Sequence, residues 1–469
     1  MKTRGLSTLV AASSIVVLTA QALPVSQSLT PRADTGAGFT FALTGDSIIT
    51  RKLSVYQEPL FLKMIELIRG ADAAFTNLEM LFHDYETWAM NESGGTYMRA
   101  DPALVKELVW AGFDMVSRAN NHAGDYAPKA LQLTTTYVAE AGLVQAGVGD
   151  SLSEAREAHF LETAKARVAL VSCASTFTPH SVAGNPRGSI PARPGLSPLR
   201  FTTTYVTTAE GMAKLREGLA AAGIGGRGGR AGNTTMPVEA ISVFGNRIEV
   251  GATPGVHTSP NKEDVDEIAA AVKNATKLAE FTVVTIHSHE GGAGGTTVPS
   301  EFLVAFAHAM IDAGADVFVG HGPHVLRAIE IYKGKPIFYS LGDFLFENDT
   351  VLRLPSENYE QFSLPGTAGV GDFNDRRYGA DSSSGFVANE LIYESVVAMP
   401  RFQNKQLVEV ALYPISLGFR KPIGVSGRPM LADPELGKKI LDDLTRLSTP
   451  FGTSIVSRDG VGYVQIAAR

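Results

Sequence analysis

The sequence contains a single cysteine, which excludes an intramolecular disulfide. Cys173 lies in the apolar run RVALVSCAS, and this run predicts a strand. A free cysteine in such a run is most often a small buried hydrophobic residue, and we expect Cys173 to be one. A chain of 469 residues can bury enough apolar surface to fold without covalent cross-links.

Beyond its N-terminus the sequence also lacks a long apolar run, so no later segment predicts a transmembrane helix. Residues 1–22 combine Lys2 and Arg4 with a short apolar stretch and an A-x-A cleavage site, which is the pattern of a secretory signal peptide. We therefore expect a secreted or extracellular protein, with an anchor at the cell surface or in the membrane only if this segment is not cleaved. Residues 23–37 predict a disordered leader.

The sequence also has no excess of basic residues. It contains 41 Lys and Arg residues and 48 Asp and Glu residues, which give a formal net charge of −7. Removal of residues 1–22, which hold two basic residues and no acidic one, would change the charge by two, to −9. An acidic chain without a basic run is a poor partner for nucleic acid, and we expect none. An anionic polymer or a small anionic substrate would have to meet a metal or a few converging arginines.

From residue 38 to about residue 350, short apolar strands alternate with amphipathic helices, which predicts an α/β fold. FTFALTGD is a strand, EPLFLKMIELIRGA has helical spacing, and DPALVKELVWAG has the N-cap Asp101 and a terminal Gly112. Two β-rich runs flank Lys333 and Gly334 and predict a hairpin, so the sheet should be mixed rather than purely parallel.

Three segments interrupt or follow this rhythm. Residues 185–280 contain Pro-rich and Gly-rich stretches and predict inserted loops and helices. Residues 351–469 form a C-terminal extension that we expect to complete the same domain. Within it, residues 351–390 are polar with little periodicity and predict a loop excursion at the surface.

Polar residues gather where the predicted strands end. They are Asp46, Glu79, Asn121, His122, His287, Glu290, His321 and His324. Because ligands of α/β sheets bind at the carboxyl ends of strands, we expect these residues to converge. Carboxylate, amide oxygen and imidazole together suit one or two divalent cations such as Mn, Zn or Fe.

This set permits hydrolytic chemistry. Two cations about 3.5–4 Å apart could lower the pKa of a water toward 7 and polarise the bond under attack. Asp46 or Glu79 could bridge them, and one of Asn121 and His122 could be a ligand while the other donates a proton. Taken singly, each residue has a simpler interpretation as a turn residue, an N-cap or a solvated side chain. The conjunction on five segments favours the metal site.

Several of these motifs closely resemble the CapA family of capsule and poly-γ-glutamate synthesis proteins, which is grouped with the calcineurin-like metallophosphoesterases. The similar segments are GDSIIT, NLE, GFDMVSRANNHAGDY, AGLVQAGVGDSLSEAR, RPGLSPL and GHGPHVLRAIEIYKGKPIFYSLGDFLF. The resemblance covers residues 38–350 and implies a four-layered α/β/β/α metallophosphatase-like sandwich with mixed sheets.

The resemblance also implies roles for individual residues. Asp46 and Glu79 match the two acidic motifs of the family and would bind metal. By analogy with metallophosphoesterases, Asn121 and the histidines at positions 287, 321 and 324 would be ligands. His122 would donate a proton near the bond that breaks.

The chain departs from the family pattern at three places. It shows Gly-Asp where the superfamily usually has Asp-x-His, so one ligand would be missing or supplied differently. It has His287-Ser288-His289-Glu290-Gly291 for the usual His-Trp-Gly-x-Glu segment. It has Asp343 where Ser-Leu-Gly-Asn-Phe is usual, which adds an acid beside the expected site.

Three functions compete at this point. The first is a secreted CapA-type metal-dependent hydrolase that acts on poly-γ-glutamate or a related amide polymer, with His122 or Glu290 handling the proton. Arg118 and Arg193 are its candidate substrate-binding residues, although each could be an ordinary surface arginine. The second is a metallophosphoesterase that cleaves phosphate esters. The third is a non-catalytic accessory protein that binds polymer or a synthase partner at the cell surface.

Overall fold

The first strand, Phe39–Ile48, shows how two sheets come to pack face to face. Its residues Phe39, Phe41 and Leu43 join one buried apolar cluster, whereas Ala42 and Ile48 join another on the opposite face. This alternation is the period of two that places successive side chains on opposite faces of a sheet. Both faces of the strand are therefore covered.

The computed structural model describes residues 38–224 and 239–466. The strands in these ranges are β1 (Phe39–Ile48), β2 (Ala73–Leu78), β3 (Leu81–Phe82), β4 (Arg99–Ala100), β5 (Met115–Ser117), β6 (Val144–Ala146), β7 (Val148–Gly149), β8 (His159–Glu162), β9 (Arg167–Ala174), β10 (Gly195–Leu196), β11 (Phe201–Thr207), β12 (Ala240–Val243), β13 (Asn246–Val250), β14 (Gly255–Pro260), β15 (Phe281–His287), β16 (Gly291–Gly292), β17 (Gly295–Pro299), β18 (Val317–His321), β19 (Ile329–Tyr332), β20 (Lys335–Phe338), β21 (Asp343–Phe346), β22 (Glu394–Gln403), β23 (Gln406–Ser416), β24 (Met430–Leu431), β25 (Ile455–Arg458) and β26 (Val461–Val464).

The helices in the same ranges are α1 (Pro59–Arg69), α2 (Val105–Ala111), α3 (Ala127–Glu140), α4 (Leu152–Ala155), α5 (Ala209–Ala221), α6 (Lys262–Ala275), α7 (Glu301–Asp312), α8 (Ser356–Gln361), α9 (Val370–Tyr378) and α10 (Pro434–Ser448). Asp101 caps the turn before α2 through its side chain, and Gly112 ends the helix with a φ of 104°. Both signals were expected from the sequence.

Two mixed sheets form the centre of the protein. The larger has the order β25-β26-β23-β22-β1-β2-β5-β6, with β21 beside β1 and β24 beside β23. The second has the order β19-β20-β18-β15-β9-β8. One apolar cluster holds residues of both sheets, and two further clusters join the outer faces to helices such as α1 and α7. This is the four-layered α/β/β/α arrangement.

The hairpin expected around Lys333 and Gly334 is confirmed, because β19 and β20 pair antiparallel with Tyr332 opposite Lys335. Lys333 has a φ of 50° and Gly334 a φ of 76°. Positive φ at both central residues is the geometry that a two-residue hairpin turn needs. The buried strand position of Cys173 is confirmed as well.

The expectation for residues 185–280 was incomplete. Besides loops and helices, this segment contains a four-stranded sheet in the order β12-β13-β11-β14. Its strand β11 reads FTTTYVT and has no fully buried residue. A strand rich in threonine and half exposed lacks the apolar alternation on which the sequence prediction depended.

The expectation of a loop over residues 351–390 was also wrong in part, because α8 and α9 lie there. Helix α9 reads VGDFNDRRY and buries only Phe373 and Tyr378. Two apolar contacts leave too little periodicity to reveal a helix. After this segment, β22 pairs antiparallel with β1 and so lies in the larger sheet.

The predicted signal peptide, residues 1–22, and the predicted leader, residues 23–37, lie outside the described residues. Across residues 38–224 and 239–466, every helix is too short or too polar to cross a bilayer.

Candidate metal centre

Strands of both sheets bring buried polar residues to one place. Asp46 on β1 is the register partner of Asn77 on β2, and His287 on β15 is the register partner of His321 on β18. All four residues are fully buried. Since Asp46 Oδ1 lies 3.5 Å from His287 Nδ1, the two strand pairs meet at this point.

Asp46, His287 and His321 form the first ligand group. Asp46 Oδ1 lies 3.3 Å from His321 Nδ1, and the two histidine Nδ1 atoms are 3.0 Å apart. Ligands held tetrahedrally at about 2.0–2.2 Å from a zinc ion are roughly 3.3–3.6 Å from one another. The two distances to Asp46 Oδ1 fall in this range and the distance between the two Nδ1 atoms lies slightly below it, so the three atoms are spaced much like three of the four ligands of such a site.

Asp46, His324 and Asp343 form the second ligand group. His324 Nδ1 lies 3.8 Å from Asp46 Oδ2 and 2.8 Å from Asp343 Oδ1. The backbone N–H of Gly322 donates to Asp46 Oδ2 over 2.8 Å. His324 itself has a φ of 57°, an uncommon conformation for a residue that is not glycine. The Gly322–His324 loop is thus shaped to turn this imidazole toward the carboxylates.

Glu79, His287 and His289 form the third ligand group. His287 Nε2 lies 3.6 Å from Glu79 Oε1 and 2.9 Å from His289 Nε2. The two ring nitrogens face one another, so they can share either a proton or a cation.

Several buried oxygen atoms in and beside these groups have no hydrogen-bond partner. They are Asn77 Oδ1, both carboxylate oxygens of Glu79, Asn121 Oδ1 and Asp343 Oδ2. A buried polar atom without a partner is costly and calls for an explanation. Hard oxygen donors beside imidazoles fit a divalent cation of the Mn, Zn or Fe type, so the residues present fit a metal centre.

The pKa values of the two central carboxylates, Asp46 and Glu79, are shifted in opposite directions. Burial alone would raise the pKa of Asp46, but hydrogen bonds and charge interactions with His287 and His321 hold that pKa well below its ordinary value. Burial, together with the charge of Asp46, raises the pKa of Glu79 well above its ordinary value. A cation near Glu79 would supply the positive charge that its ionised form lacks.

The histidines also differ. Burial lowers the pKa of His287 to about 4 and that of His289 well below its ordinary value. Burial acts against the charged form of His324 too, but the carboxylates of Asp343 and Glu79 raise its pKa to about 10. Burial raises the pKa of Asp343 to about 6, although His324 opposes that shift. Neutral imidazoles such as His287 are ready to bind metal without losing a proton.

His122, the predicted proton donor, lies beside the third ligand group. Its Nε2 is 3.7 Å from Glu79 Oε1, and its Nδ1 is 2.8 Å from Asp125 Oδ2. Asp125 also accepts hydrogen bonds from the backbone N–H groups of Gly94 and Met98. The ring is therefore oriented by a carboxylate that is itself fixed, as in other acid–base pairs. Sequence reasoning missed Asp125, although it follows His122 by three residues.

Asn121 directly precedes His122 in the loop after β5. Its Nδ2 donates to the carbonyl oxygen of Gly94 over 3.0 Å, which leaves the buried Oδ1 without a partner. This orientation offers the amide oxygen, the atom that a metal would need. Its predicted role as a ligand stays a prediction.

Glu290, predicted to handle a proton, lies in a different environment. Its carboxylate accepts hydrogen bonds from the hydroxyl groups of Ser175 at 2.7 Å, Thr176 at 2.9 Å and Ser288 at 2.9 Å. It belongs to none of the three ligand groups. Three short hydroxyl contacts hold Glu290 in the loop after β15. Its predicted role in proton transfer stays a prediction.

The two predicted substrate-binding arginines are not brought to the cluster. Arg118 is 1% exposed and donates to Gln145 Oε1 and to the carbonyl oxygen of Leu131. Arg193 is exposed, and its Nε donates to the carbonyl oxygen of Val182 over 2.8 Å. Arg118 is thus buried and held by internal acceptors, whereas Arg193 is exposed. The predicted substrate-binding roles of both arginines stay predictions.

Arg327 has a clear structural role next to the centre. It is fully buried and donates to the carbonyl oxygens of Ser288, His289 and Thr296. These bonds hold the loop that carries His289.

Sequence reasoning did not include His289 and Asp343 among the metal ligands. The available signals were their places at strand ends: His289 comes two residues after the end of β15, and Asp343 begins β21 as the register partner of Asp46.

Comparison with known proteins agrees with this fold. The family described as "Bacterial capsule synthesis protein PGA_cap" matches residues 40–348. An uncharacterized protein, y4sH, of Sinorhizobium fredii (strain NBRC 101917 / NGR234) is 38% identical over 443 residues, covering 92% of this chain and 93% of its own.

Relatives with functional names are more distant. "PGA biosynthesis protein CapA" of Bacillus subtilis (strain 168) is 28% identical over 292 residues, or 60% of this chain and 58% of its own. A Mycobacterium tuberculosis (strain CDC 1551 / Oshkosh) protein named "Probable polyglutamine synthesis accessory protein" is 43% identical over 93 residues, or 19% of this chain and 24% of its own. With a family match over residues 40–348, this chain belongs to the PGA_cap family of bacterial capsule synthesis proteins.

Proposed function

We propose that this chain is an exported metal-dependent hydrolase that acts on the amide bonds of poly-γ-glutamate or a related capsule polymer. One observation carries the proposal: a fully buried set of carboxylates and imidazoles at strand ends, with oxygen atoms that no protein donor satisfies. A structural core has no use for such a set, because unpaired buried carboxylates destabilise the folded state.

The residues that would hold metal are those of the three ligand groups. The first group offers one carboxylate oxygen and two imidazole nitrogens around an open position, which is the usual composition of a catalytic site. A bound divalent cation would polarise a carbonyl group and lower the pKa of a water molecule.

The proposed hydrolysis also requires a proton donor. Hydrolysis of an amide adds the oxygen of water to the carbonyl carbon, breaks the C–N bond and requires a proton on the departing nitrogen. His122 can deliver that proton from Nε2, because Asp125 holds Nδ1 and keeps the ring turned toward Glu79. His122 is almost fully buried, with only 4% of its side chain exposed, so the surrounding loop must open for a substrate to reach it.

The substrate class is proposed from the relatives. Two of them carry names that refer to poly-γ-glutamate or polyglutamine synthesis. A polymer-modifying role would require the chain to act outside the cytoplasm, and residues 1–22 have the pattern of an export signal. Export is tested by the N-terminal sequence of the protein recovered from its producing cell, which we expect to begin after Ala22.

A non-catalytic accessory role at the cell surface, beside a synthase partner, is a second candidate. The word "accessory" in the name of the mycobacterial relative favours it. In that case the metal would stabilise a polymer-binding surface and no bond would be cleaved.

The test uses purified protein loaded in turn with Mn²⁺, Zn²⁺ and Fe²⁺. Poly-γ-glutamate chain length and hydrolysis of a phosphodiester are followed for the wild type, for His321→Ala and for the control His257→Ala. His257 lies on β14, belongs to none of the three ligand groups and pairs with the exposed Glu301.

We expect metal-dependent shortening of the polymer in the wild type and the control, and none in His321→Ala. Cleavage of the phosphodiester alone would replace the proposal with a phosphoesterase. Bound metal without turnover of either compound would replace it with the accessory role.

A further inference from the structure

We propose that a cavity built by the C-terminal part of the chain binds an amino-acid head group, which carries an ammonium and a carboxylate on one carbon. The cavity has a volume of about 460 Å³, which lies in the range of small-ligand sites. All of its lining residues come after residue 348, where the match to the family ends. The site is therefore built from a part of the chain that the family match does not cover.

The floor of the cavity holds a carboxylate without an ion-pair partner. Asp349 lines the cavity and is half-buried, and its carboxylate forms no ion pair within residues 38–224 and 239–466. Burial raises its pKa; its own backbone N–H and the charge of Arg51 oppose this rise, but that guanidinium is already paired with Glu347 over 3.1 Å. Burial, together with the charge of Asp349, raises the pKa of Tyr393 on the same floor, so this hydroxyl stays protonated. A ligand ammonium would give ionised Asp349 the positive charge that it lacks.

The rim of the cavity carries the cations Arg420 and Lys421. Both side chains are exposed, and in the described part of the chain neither forms an ion pair. The guanidinium of Arg420 lies over the ring of Phe419, 5.2 Å from its centroid. Hydrogen bonding by Ser383, and to a smaller extent the charge of Arg420, lowers the pKa of Asp381 on the same rim. Since Asp381 is paired with neither cation, both remain able to bind the carboxylate of a ligand.

The loop that carries these cations is fixed in place. Arg51 Nη2 donates to the carbonyl oxygen of Ser426 over 2.6 Å, and Arg428 donates two hydrogen bonds to the carboxylate of Glu58, at 2.7 Å and 3.0 Å. Arg420 itself has a φ of 53°, an uncommon backbone conformation for a residue other than glycine. Such conformations persist where the surrounding structure holds them, and they are frequent at ligand sites. A rim held in this way loses little freedom when a ligand binds.

The cavity lies close to the metal centre. The ring centroid of Phe346 is 5.8 Å from that of His324 and 5.6 Å from that of Tyr393, which lines the cavity. One aromatic ring thus separates the cavity from the second ligand group.

The source of the head group follows from its chemistry. A γ-linked glutamyl chain keeps both charged groups on the α-carbon of its first residue, because its amide bond uses the γ-carboxyl group. An α-linked chain loses the carboxylate at that carbon. The choice of a glutamyl chain rests on the proposed function, and the cavity would then hold the amino end of the polymer beside the centre.

The experiment is calorimetry of the metal-free protein with γ-glutamylglutamate, its N-acetyl derivative, its α-linked isomer and free glutamate. The N-acetyl derivative lacks the ammonium, and the α-linked isomer lacks the carboxylate on the same carbon. We expect the wild type to bind γ-glutamylglutamate at least about tenfold more tightly than either of these two.

Variants of the cavity identify where the compound binds. Asp349→Asn should weaken the binding of γ-glutamylglutamate at least about tenfold, and Arg420→Gln at least about threefold. Arg401→Gln, which changes an exposed arginine outside the cavity, is the control and should bind as the wild type does. Free glutamate that binds as tightly as the dipeptide would identify a free amino acid, rather than a chain end, as the source of the head group.

Three results would overturn the inference. They are equal affinity for the dipeptide and its N-acetyl derivative, unchanged binding in both cavity variants, and no binding of any of the four compounds. The calorimetry involves no turnover, so its outcome is separate from that of the polymer assay. A protein that binds the dipeptide in this cavity but never shortens the polymer would lose the hydrolase assignment and keep the site.

Discussion

Two pairs of histidines surround Asp46, and they are held in different ways. His287 and His321 are the last residues of β15 and β18, where they face one another in a parallel ladder and are fully buried. His289 and His324 lie on the loops that follow these strands, and His324 is 19% exposed. One pair is positioned by the sheet, the other by its own set of contacts.

The difference shows which histidines this fold positions most rigidly. A strand fixes its side chains through main-chain hydrogen bonds that the whole sheet shares. A loop needs dedicated supports, and here Arg327 holds the carbonyl groups around His289 while Asp343 holds His324. The strand histidines should therefore dominate metal affinity, and the loop histidines should adjust it.

The largest expected effect comes from breaking the strand pair. His287→Ala should lose the metal held by the first ligand group and reduce turnover at least about a thousandfold, because His287 supplies one of the three ligand atoms of that group. His324→Ala leaves the first group intact and should keep that metal. Metal content after dialysis distinguishes them, and equal losses in both variants would remove the distinction between strand and loop histidines.

Removing a loop support should have the next largest effect. Arg327→Met leaves three backbone carbonyl groups without their buried donor, so we expect the free energy of unfolding to fall by about 3 kcal/mol. Urea unfolding of the metal-free protein measures this change. Arg401→Met, which affects only an exposed ion pair with Glu409, is the control and should change stability by less than about 1 kcal/mol.

A third loop histidine, His122, extends the comparison to the proton donor. Asp125→Asn keeps a hydrogen-bonding group beside His122 Nδ1 but removes its charge, and we expect kcat to fall about 10–100-fold with metal content unchanged. An unchanged kcat in this variant would mean that Asp125 only supports the loop.

In the metal-free protein, the pKa shifts of the strand histidine His287 and the loop histidine His324 should lower stability in different pH ranges. The pKa of His287 is lowered to about 4, so the unfolded state binds more protons between pH 6.5 and 4 and stability should fall as the pH decreases through this window. The pKa of His324 is raised to about 10, so the folded state binds more protons between pH 6.5 and 10 and stability should fall as the pH rises.

Each decline should amount to at least about 1 kcal/mol. Chelated protein unfolded in urea at a series of pH values reports both. His324→Gln should abolish the alkaline decline and keep the acidic one; the opposite pattern would assign the shifts to other groups.

The smallest effect is expected for His289→Ala. His289 belongs only to the third ligand group, which competes with the first for His287. The metal affinity should therefore stay within about threefold of the wild-type value, a change of less than 1 kcal/mol. Loss of the bound metal in calorimetry would instead indicate a cation between His287 Nε2 and His289.

The sequence was sufficient for the strand-borne part of the centre. The predicted strands that lead to Asp46, His287 and His321 are apolar runs with a polar last residue, and the alternation of strands and helices implies that such ends converge. In the structure β1 continues past Asp46 to Ile48. Asp343 was harder to assign, because its closeness to Asp46 depends on the parallel pairing of β1 with β21 across nearly three hundred residues. No local pattern specifies that register.

Other features could not be predicted for similar reasons. The hydroxyl partners of Glu290 include Ser175 and Thr176, which lie on a distant segment that spacing alone could not identify. The strands of the inserted sheet escaped prediction because β11 is rich in threonine and poor in buried residues. Hydrophobic periodicity in a sequence identifies elements that pack against a core, but it does not identify elements that remain largely exposed.

The most direct test of the metal centre is a crystal structure of the Mn²⁺-loaded protein with an anomalous difference map. We predict a peak within about 2.0–2.3 Å of Asp46 Oδ1, His287 Nδ1 and His321 Nδ1. A map without a peak among these residues, or with one only between Glu79 and His289, would contradict the account.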